Sequence, residues 1–433
     1  MNTYAKQLKN NIYSLISEIA EQPGKFTTTN PNAFSRNTKW TLSAVMKFIL
    51  SFGSGSLGME IGDFFQYKEG FPTVSAFVQQ RKKLSYTAFE QLFYKFNKKS
   101  IVVPKLFKGY RLLAIDGSDI DIPYNPKEKN CLEEKQRSKI YMHGFFDLLG
   151  KIYIDAYIER NLAKDETGRA CDMVDRIDER FPSIIVADRN YESYNFFAHV
   201  EEKSMDYVVR IKDINSTGML SGMPLPKEDE FDITRRIFIH HKHSLCSQMM
   251  PHKHKYIAKN KRFDYENAAT QDGYEMLIRF VRFKLTDSTY ECLATSLSEE
   301  LFPVADLKEI YGKRWGIETG FRELKHIMGL SAFHSKQENS ILQEIYARLI
   351  IYNYSMLITG KIHIKEKNLK NKLQINYTQA IRICQHYFRQ LDFNVLYDIE
   401  TTIQRFLLPV RPHRSYKRTT QETNTKNFNY RLA

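Results

Sequence analysis

One stretch of fifteen residues, YGKRWGIETGFRELK, combines side chains that could bind a polyanion with a carboxylate among them. Its polar residues recur at spacings of three and four, so in a helix they share one face. They are Tyr311, Arg314, Glu318, Arg322 and Lys325. A carboxylate surrounded by cations is typical of a site where an acid holds charge beside a polyanion. The alternative is a polar helix face that is simply solvated.

The same stretch predicts two further helix faces. At roughly 100° per residue, one apolar stripe suits packing against a core, and it consists of Ile317, Phe321, Leu324 and Met328. A second face holds Gly312, Gly316 and Gly320, although a glycine inside a helix costs about 1 kcal/mol relative to alanine. An exposed helix would not favour three glycines, so this face is expected to let another backbone or a ligand come close.

Two more carboxylates follow short apolar runs. The runs YRLLAID and SIIVAD end in Asp116 and Asp188, as buried parallel strands do when their carboxyl ends open onto a site. Residues 109–212 read as strand, strand, strand, helix, strand, helix, strand. If the first strand neighbours the fourth, the two aspartates meet at the crevice where an open sheet places its ligands. Either aspartate alone could have a purely structural role, so the hypothesis depends on their joint placement with Glu318.

Three carboxylates from distant segments predict a site for one or two Mg²⁺ ions. Hard divalent ions take oxygen ligands and keep water and substrate phosphates as the remainder. Two ions about 3.5–4 Å apart stabilise both the attacking and the leaving oxygen of an in-line phosphoryl displacement. The predicted ligands are Asp116, Asp188 and Glu318. Asp119 and Asp121 could compete as ligands, or could serve in a turn or at the surface.

The rest of the chain predicts an α/β protein with helices before and after the sheet. Residues 1–100 read as a compact helical module, in which QQRKK (residues 79–83) could lie in a DNA groove or along phosphates, or form a solvated face. Residues 213–300 read as an insertion of short alternating strands. Helices resume to about Leu407, and the basic remainder is expected to be flexible.

Composition limits the class of protein. A chain of 433 residues predicts two or three domains. Its 64 Lys and Arg against 50 Asp and Glu leave a net charge of +14, which indicates a polyanionic partner or an acidic membrane surface. No apolar run reaches the ~18 residues of a membrane span, and the first residues lack a signal-peptide core. The five cysteines are widely spaced, which fits reduced thiols in a soluble cytoplasmic protein.

The spacing of Tyr311, Arg314, Glu318 and Lys325, Y-x2-R-x3-E-x6-K, resembles the signature of one group of DDE transposases of bacterial insertion sequences, the insertion sequence four type. AIDGSDI and VADRNY are similar to the first and second aspartate motifs of that family. The resemblance covers roughly residues 35–360. It implies a ribonuclease H-like catalytic core interrupted by a β-rich insertion. It also implies that the three acids bind two Mg²⁺ ions, for which Mn²⁺ can substitute.

The resemblance further implies an activity and partners. Water would nick double-stranded DNA at the terminal inverted repeats, and the freed 3′-hydroxyl would form a hairpin on the element's end before joining to target DNA. Pairing two ends implies a homodimer, associated with the nucleoid when bound. The implied division is 1–100 for binding DNA ends, 101–212 and 304–360 for the catalytic core, 213–303 for the insertion, and 361–433 for C-terminal helices with a basic tail.

The resemblance assigns phosphate contacts near the cut to Tyr311, Arg314 and Lys325, with a fork supplied by arginine and a point charge by lysine. Further candidates for DNA binding are Arg322, Arg189, Tyr191, Arg210, Lys212 and Trp315. Trp315 could stack on a displaced base or be packed in the core. One departure lies in the second motif, where Asn190 stands in the place that glycine occupies in many relatives.

A stretch of the insertion, IHHKHSLCSQMMPHKHK, suggests either a zinc site or a basic patch at DNA. The residues concerned are His240, His241, His243, Cys246, His252 and His254. Structural zinc prefers paired ligands at regular short spacing, and a second pair is missing here. The basic patch is therefore the favoured interpretation.

Two other functions compete with transposition. A DNA-binding repressor that kept the fold would usually have lost a carboxylate, and none is lost here. A two-metal nuclease would cut DNA without joining it, and the Y-R-E-K spacing argues against that function.

Overall fold

The computed structural model describes most of the chain. The described residues are 1–28, 30–36, 38–53, 55–101, 103–127, 131–132, 137–159, 164–177, 180–240, 250, 252–258, 261–265, 273–287, 289–330, 332–364, 371–390 and 397–410. The predicted basic tail at 411–433 lies outside them, as do His241, His243 and Cys246 of the histidine-rich stretch.

Helices come before, between and after the strands of the large sheet. They are α1 (Asn2–Ala20), α2 (Leu42–Leu50), α3 (Leu57–Phe64), α4 (Val74–Lys83), α5 (Thr87–Ser100), α6 (Glu166–Arg176), α7 (Tyr194–Glu202), α8 (Val304–Lys313), α9 (Trp315–His326), α10 (Glu338–Thr359), α11 (Tyr377–Arg389) and α12 (Ile399–Gln404). Polar side chains cap several of their N-termini by accepting a first-turn backbone N–H. These caps are Thr41, Ser56, Thr73, Asp165, Asn376 and Asp398.

The strands are β1 (Arg111–Ile122), β2 (Cys131–Leu132), β3 (Arg137–Asp147), β4 (Ile152–Glu159), β5 (Ser183–Ala187), β6 (Asp206–Ile211), β7 (Phe231–His240), β8 (His254–Tyr256), β9 (Tyr274–Thr286), β10 (Thr289–Thr295), β11 (Leu373–Gln374) and β12 (Leu408–Pro409). All but the last two form one mixed sheet, in the order β2-β3-β1-β5-β6-β10-β9-β7-β8, with β4 also paired to β3. The predicted α/β class is therefore confirmed.

Strand directions place the first and fourth predicted strands side by side. β1 runs antiparallel to β3 and parallel to β5, and β5 runs parallel to β6. In the predicted insertion, β10 pairs antiparallel with β6 and then with β9. The strands of the insertion thus extend the same sheet.

Hydrophobic clusters cover both faces of the sheet. One joins the helices of the first hundred residues to α10, α11 and α12 and to one side of β1. The other packs α6 and α7 and the strands of the insertion against the opposite side. Helix α10 is buried along almost its whole length, so it forms the centre of the first cluster. Within the described residues, no helix combines the length and apolar character needed to cross a membrane.

The prediction that residues 79–83 could contact DNA is wrong for Arg81. Its side chain is buried, and its guanidinium forms an ion pair with Glu344 at 2.9 Å. The neighbouring Lys82 and Lys83 are exposed.

Candidate active site

Asp116 and Asp188 lie at the same edge of the sheet. Ala114 on β1 is the register partner of Val186 on β5, and each aspartate lies two residues further along its own chain. Adjacent strands are about 4.8 Å apart, and residues two apart on a strand share a face. The parallel pairing therefore brings these two carboxylates together, as the apolar runs predicted.

Glu318 comes to the same site on helix α9, which packs on β1. The single helix predicted for residues 311–325 is instead two consecutive helices that meet at Arg314. Arg314 itself keeps a helical conformation, with φ −49° and ψ −37°. Because these angles are helical, the polar face continues from α8 into α9.

The apolar and glycine faces of this segment pack as predicted, apart from Gly312. Ile317, Phe321, Leu324 and Met328 are all buried. A Cβ at Gly316 would lie 3.0 Å from Leu148, and a Cβ at Gly320 would lie 3.0 Å from both Phe146 and Tyr153. A Cβ at Gly312 would meet nothing within 4 Å. Close seating of α9 on strands β3 and β4 therefore depends on Gly316 and Gly320.

A cavity of about 420 Å³ opens between β1 and α9. Its lining residues are Asp116, Gly117, Ser118, Glu318, Phe321, Arg322, Lys325 and His326. Two of the predicted acids and two of the predicted cations thus face one space. Asp188 does not line the cavity, although it lies beside Asp116.

The charges around Asp116 show that the three acids influence one another. The pKa of Asp116 is raised to about 7, mainly by burial and in addition by the carboxylates of Asp188 and Glu318. The Gly117 backbone N–H, 2.8 Å from Asp116 Oδ1, and the Arg314 guanidinium act in the opposite direction. A divalent cation would relieve the repulsion between these carboxylates, and carboxylate oxygens are the donors that Mg²⁺ prefers.

The acids are held by protein groups in this structure. Arg314 donates to Glu318 Oε1 at 2.9 Å, and the Asn190 backbone N–H donates to Asp188 Oδ1 at 2.9 Å. Among the described residues, no three acids, histidines or cysteines are close enough together to form a ready-made metal site. The donor set therefore fits a divalent cation chemically, while Glu318 would have to turn from Arg314 to share one.

Lys325 and Arg322 contribute positive charge to the cavity. Lys325 Nζ donates to Ser118 Oγ on β1 at 2.7 Å. Burial lowers the pKa of Lys325, and the nearby Asp119 and Asp121 counteract this. The side chain of Arg322 is exposed at the cavity wall. Both cations are placed where an incoming phosphate would meet them.

The remaining members of the polar face form a second cluster behind Glu318. Tyr311 and Arg314 are buried, with the guanidinium of Arg314 5.6 Å from the Tyr311 ring centroid. Arg210 forms an ion pair with Glu291 at 3.3 Å, and its charge acts on Tyr311. Burial of Tyr311 and Arg314 means that DNA could reach them only after a local rearrangement.

Trp315 is 52% exposed, which contradicts the alternative of a packed side chain. The Arg314 guanidinium lies 5.0 Å from the centroid of its ring. The guanidinium covers one face of the indole, and the exposed remainder of the ring is available for stacking.

The second aspartate motif divides into exposed and buried members. Arg189 is exposed, whereas Tyr191 is only 1% exposed, so the predicted contact of Tyr191 with DNA has no support from this arrangement. Lys212 is exposed, and its backbone N–H donates to Glu192 at 2.9 Å. Asp119 forms a surface ion pair with Lys164 at 2.7 Å, which agrees with the alternative of a surface role for Asp119.

His240 and His254 lie together at the far end of the sheet. His240 Nε2 is 3.0 Å from His254 Nδ1, and His252 is exposed. No third metal-binding side chain joins this pair among the described residues. The zinc alternative therefore has no support in the described part of the insertion.

Sequence reasoning missed several polar partners of the site. Ser118, Glu166, Glu291 and Tyr141 bind or face residues that were predicted, yet none belongs to the quoted spacing pattern. Ser118 offers the clearest missed signal, since it follows Asp116 by two residues and so shares its strand face.

Comparison with known proteins identifies a family and a relative for this chain. A family model described as "Transposase DDE domain" matches residues 107–354, which include the three acids. "Transposase InsG for insertion sequence element IS4" of Escherichia coli (strain K12) is 25% identical over 142 residues. That alignment covers 30% of this chain and 31% of the relative, so the chain spans about a third of the length of the curated protein it matches.

One solved structure is similar over most of the chain. It is a cryo-EM structure of the piggyBac transposase synaptic complex with hairpin DNA, with a TM-score of 0.45 and 11% identity. The match covers 95% of this chain and 88% of that one.

Proposed function

The chain belongs to the transposase DDE domain family, and from this premise we propose that it is the transposase of a bacterial insertion sequence. It binds the terminal inverted repeats of its element and catalyses Mg²⁺-dependent cleavage and strand transfer by cut-and-paste, through hairpin ends. Residues 101–212 and 304–360 form a ribonuclease H-like core, and residues 1–100 contribute to binding the DNA ends.

The observation that carries this proposal is the convergence of three acids at one sheet edge. Asp116 and Asp188 follow adjacent parallel strands, and Glu318 shares the 420 Å³ cavity with Asp116. Asp116, Asp188 and Glu318 would hold Mg²⁺, which supplies charge stabilisation to the attacking and leaving oxygens of a phosphoryl transfer. Arg314, which donates to Glu318 in this structure, would become available as a fork for a DNA phosphate if Glu318 turned to a bound cation.

The cations around the cavity position the scissile strand. Lys325, held against β1 by Ser118, presents a point charge at the cavity wall. Arg322 also lines the cavity, and Arg189 and Lys212 are exposed cations that directly follow Asp188 and β6. Electrostatic attraction of this kind is independent of sequence, so recognition of a particular end requires further contacts. Two ends must be paired before joining, so the active form is a homodimer on DNA.

The test uses purified protein and linear DNA that carries the inverted repeats flanking its gene. With Mg²⁺ or Mn²⁺, denaturing gels should show nicked strands, hairpin ends and joined products. Asp116→Asn, Asp188→Asn and Glu318→Gln should each abolish cleavage while binding of the DNA end persists. Asp172→Asn, on the outer face of α6, is the matched control and should cleave normally.

Each other outcome points to a different function. End binding by the unmodified protein with no cleavage in either metal would support a repressor. Cleavage without hairpins or joined products would support a two-metal nuclease. Full activity in any one acid variant would remove that acid from the site.

A further inference from the structure

Glu166, in the first turn of α6, joins three segments around the acids. Its Oε1 accepts a hydrogen bond from the Tyr141 hydroxyl on β3. Its Oε2 accepts one from the Asn190 side-chain amide at 3.3 Å. Asn190 belongs to the short 3-10 turn Arg189–Tyr191 that directly follows Asp188. Glu166 is therefore the link between β3 and the turn that carries the second aspartate.

The turn after β5 is anchored on one side by Tyr191, which is 1% exposed and packs against Phe196. The Asn190 backbone N–H donates to Asp188 Oδ1 at 2.9 Å, and Thr167 Oγ1 lies 3.5 Å from the Asn190 carbonyl oxygen. Asn190 is exposed, so packing does not hold it. A three-residue turn has little hydrogen bonding of its own, so the polar contacts with α6 restrain its exposed side, on which Asn190 lies.

The other end of the link is fixed against the first aspartate. A Cβ at Gly117 would overlap the ring and hydroxyl of Tyr141, so Tyr141 lies directly on the strand next to Asp116. Tyr141 is buried, and Lys164 lies 4.1 Å from its ring centroid. A continuous path thus runs from β1 through Tyr141, Glu166 and Asn190 to Asp188.

The turn that contains Asn190 also places the buried Tyr191 hydroxyl near the acids. The Tyr191 hydroxyl has no hydrogen-bond partner among the described residues, although Tyr191 is 1% exposed. Burial raises the pKa of Tyr191, and the charges of Asp116 and Glu166 add to this. The hydroxyl is therefore a donor without a partner among the described residues, close enough to the acids to feel their charges.

We propose that Glu166 is a positioning residue that, through Asn190, sets the place of Asp188 relative to Asp116 and so strengthens divalent-cation binding. The inference rests on the proposed function in one respect, because it takes Asp116 and Asp188 as the ligands. Glycine at position 190 could not form the side-chain bond, so this restraint is particular to chains with a hydrogen-bonding residue there. Groups that orient metal ligands commonly change metal affinity 10–100-fold when they are removed.

The test measures Mn²⁺ binding to the full chain without DNA, by titration calorimetry. Asn190→Gly and Glu166→Ala should each weaken Mn²⁺ binding about tenfold, and the double variant should be no weaker than either single one. Asp172→Asn, on the same helix, should match the unmodified protein. The Mg²⁺ concentration for half-maximal DNA cleavage should rise in the same two variants, while the rate at saturating Mg²⁺ stays near that of the unmodified protein.

Three results would overturn the proposal. Unchanged Mn²⁺ binding in Asn190→Gly would remove the link, and because Asn190 is exposed this variant tests the idea even if Glu166→Ala fails to fold. Weakening by Glu166→Ala alone would make Glu166 a ligand instead. Additive losses in the double variant would mean independent effects.

The two proposals fail in different ways. If the unmodified protein binds Mn²⁺ through Asp116 but cleaves no DNA, the proposed function fails while the positioning role can still be measured. If it cleaves DNA normally and both variants match it in Mn²⁺ binding, the positioning role alone fails.

Discussion

Single side chains at this site serve both the fold and the chemistry. Lys325 shows this most clearly, because its ammonium group ties α9 to Ser118 on β1 and also lines the cavity. If Lys325 served only packing, its replacement would not change how DNA affinity depends on salt. A lysine that contacts a phosphate displaces counterions when DNA binds, so its replacement makes that dependence shallower. Salt dependence therefore separates the two roles.

Lys325→Ala should weaken binding of the DNA end and make its dependence on salt shallower. Loss of one phosphate contact reduces the slope of log K against log salt by about 1. Binding would be followed by fluorescence anisotropy between 50 and 300 mM salt. Lys308→Ala, an exposed cation on α8 whose ammonium lies 4.5 Å from the Phe283 ring centroid, is the control. Equal slopes for Lys325→Ala and the unmodified protein would exclude a phosphate contact.

Trp315 should report directly on DNA, since the protein's other tryptophan, Trp40, is buried. In a Trp40→Phe variant, we expect acrylamide to quench the emission before DNA is added and a cleaved end to protect it afterwards. Trp315→Ala should weaken binding of a single-stranded end by about 1–3 kcal/mol, the range for base stacking on an aromatic ring. Unchanged quenching with bound DNA would show that the indole remains in solvent.

At the scale of elements, the position of helix α9 depends on Gly316 and Gly320, which are in close contact with other side chains, whereas the nearby Gly312 is not. Gly320 faces Phe146 and Tyr153, which are themselves buried, so a methyl group there has no room. Gly312 faces open space. The same substitution at these two positions should therefore have effects of opposite sign.

Gly320→Ala should lower the free energy of unfolding by about 1–3 kcal/mol, the usual cost of overpacking, and should move Glu318 relative to Asp116. Gly312→Ala should raise it by up to about 1 kcal/mol through helix propensity. Chemical denaturation measures both, and DNA cleavage should fall only in Gly320→Ala. A Gly320→Ala variant as stable and active as the unmodified protein would show that α9 does not need this close contact.

Local periodicity predicted much of this arrangement, because strand runs and helix stripes depend on neighbouring residues. It predicted the two apolar runs that end in Asp116 and Asp188 and the buried stripe on α9, whereas the pairing of the first strand with the fourth was only assumed. It could not predict that Arg81 is buried, since the partner Glu344 is 263 residues away. Nor could it separate Tyr191, which is buried, from Trp315, which is exposed, because both are aromatic residues beside catalytic motifs.

For the whole molecule, the buried pair of Arg81 and Glu344 joins the N-terminal helices to α10. Glu344 also lies 3.1 Å from Arg348, so one carboxylate serves two guanidinium groups. Removing one partner of a buried pair leaves an uncompensated charge, which typically costs 3–5 kcal/mol. This pair means that the first hundred residues contribute to the stability of the part of the chain that contains α10.

Glu344→Gln should therefore lower the free energy of unfolding by about 3–5 kcal/mol. The matched control is Glu18→Gln, which breaks the exposed ion pair with Lys95 and should cost less than about 1 kcal/mol. Thermal and denaturant unfolding would measure both variants. Similar losses at the two positions would show that the buried pair contributes no more than a surface pair.

The shared core also changes how DNA recognition has to be tested. Deleting residues 1–100 removes α1–α5 from a hydrophobic cluster that includes α10, so the remaining chain should lose cooperative unfolding and bind a hydrophobic dye. A chain ending at residue 410 keeps every contact described here and is the control. A cooperative transition in the shorter chain would show that residues 101–433 fold without the first hundred.

The exposed Lys82 and Lys83 are better probes of end recognition, because a deletion that unfolds the protein would abolish DNA binding whichever residues contact the DNA. Joint replacement of the two lysines by alanine should weaken binding of the DNA end while the melting temperature stays unchanged.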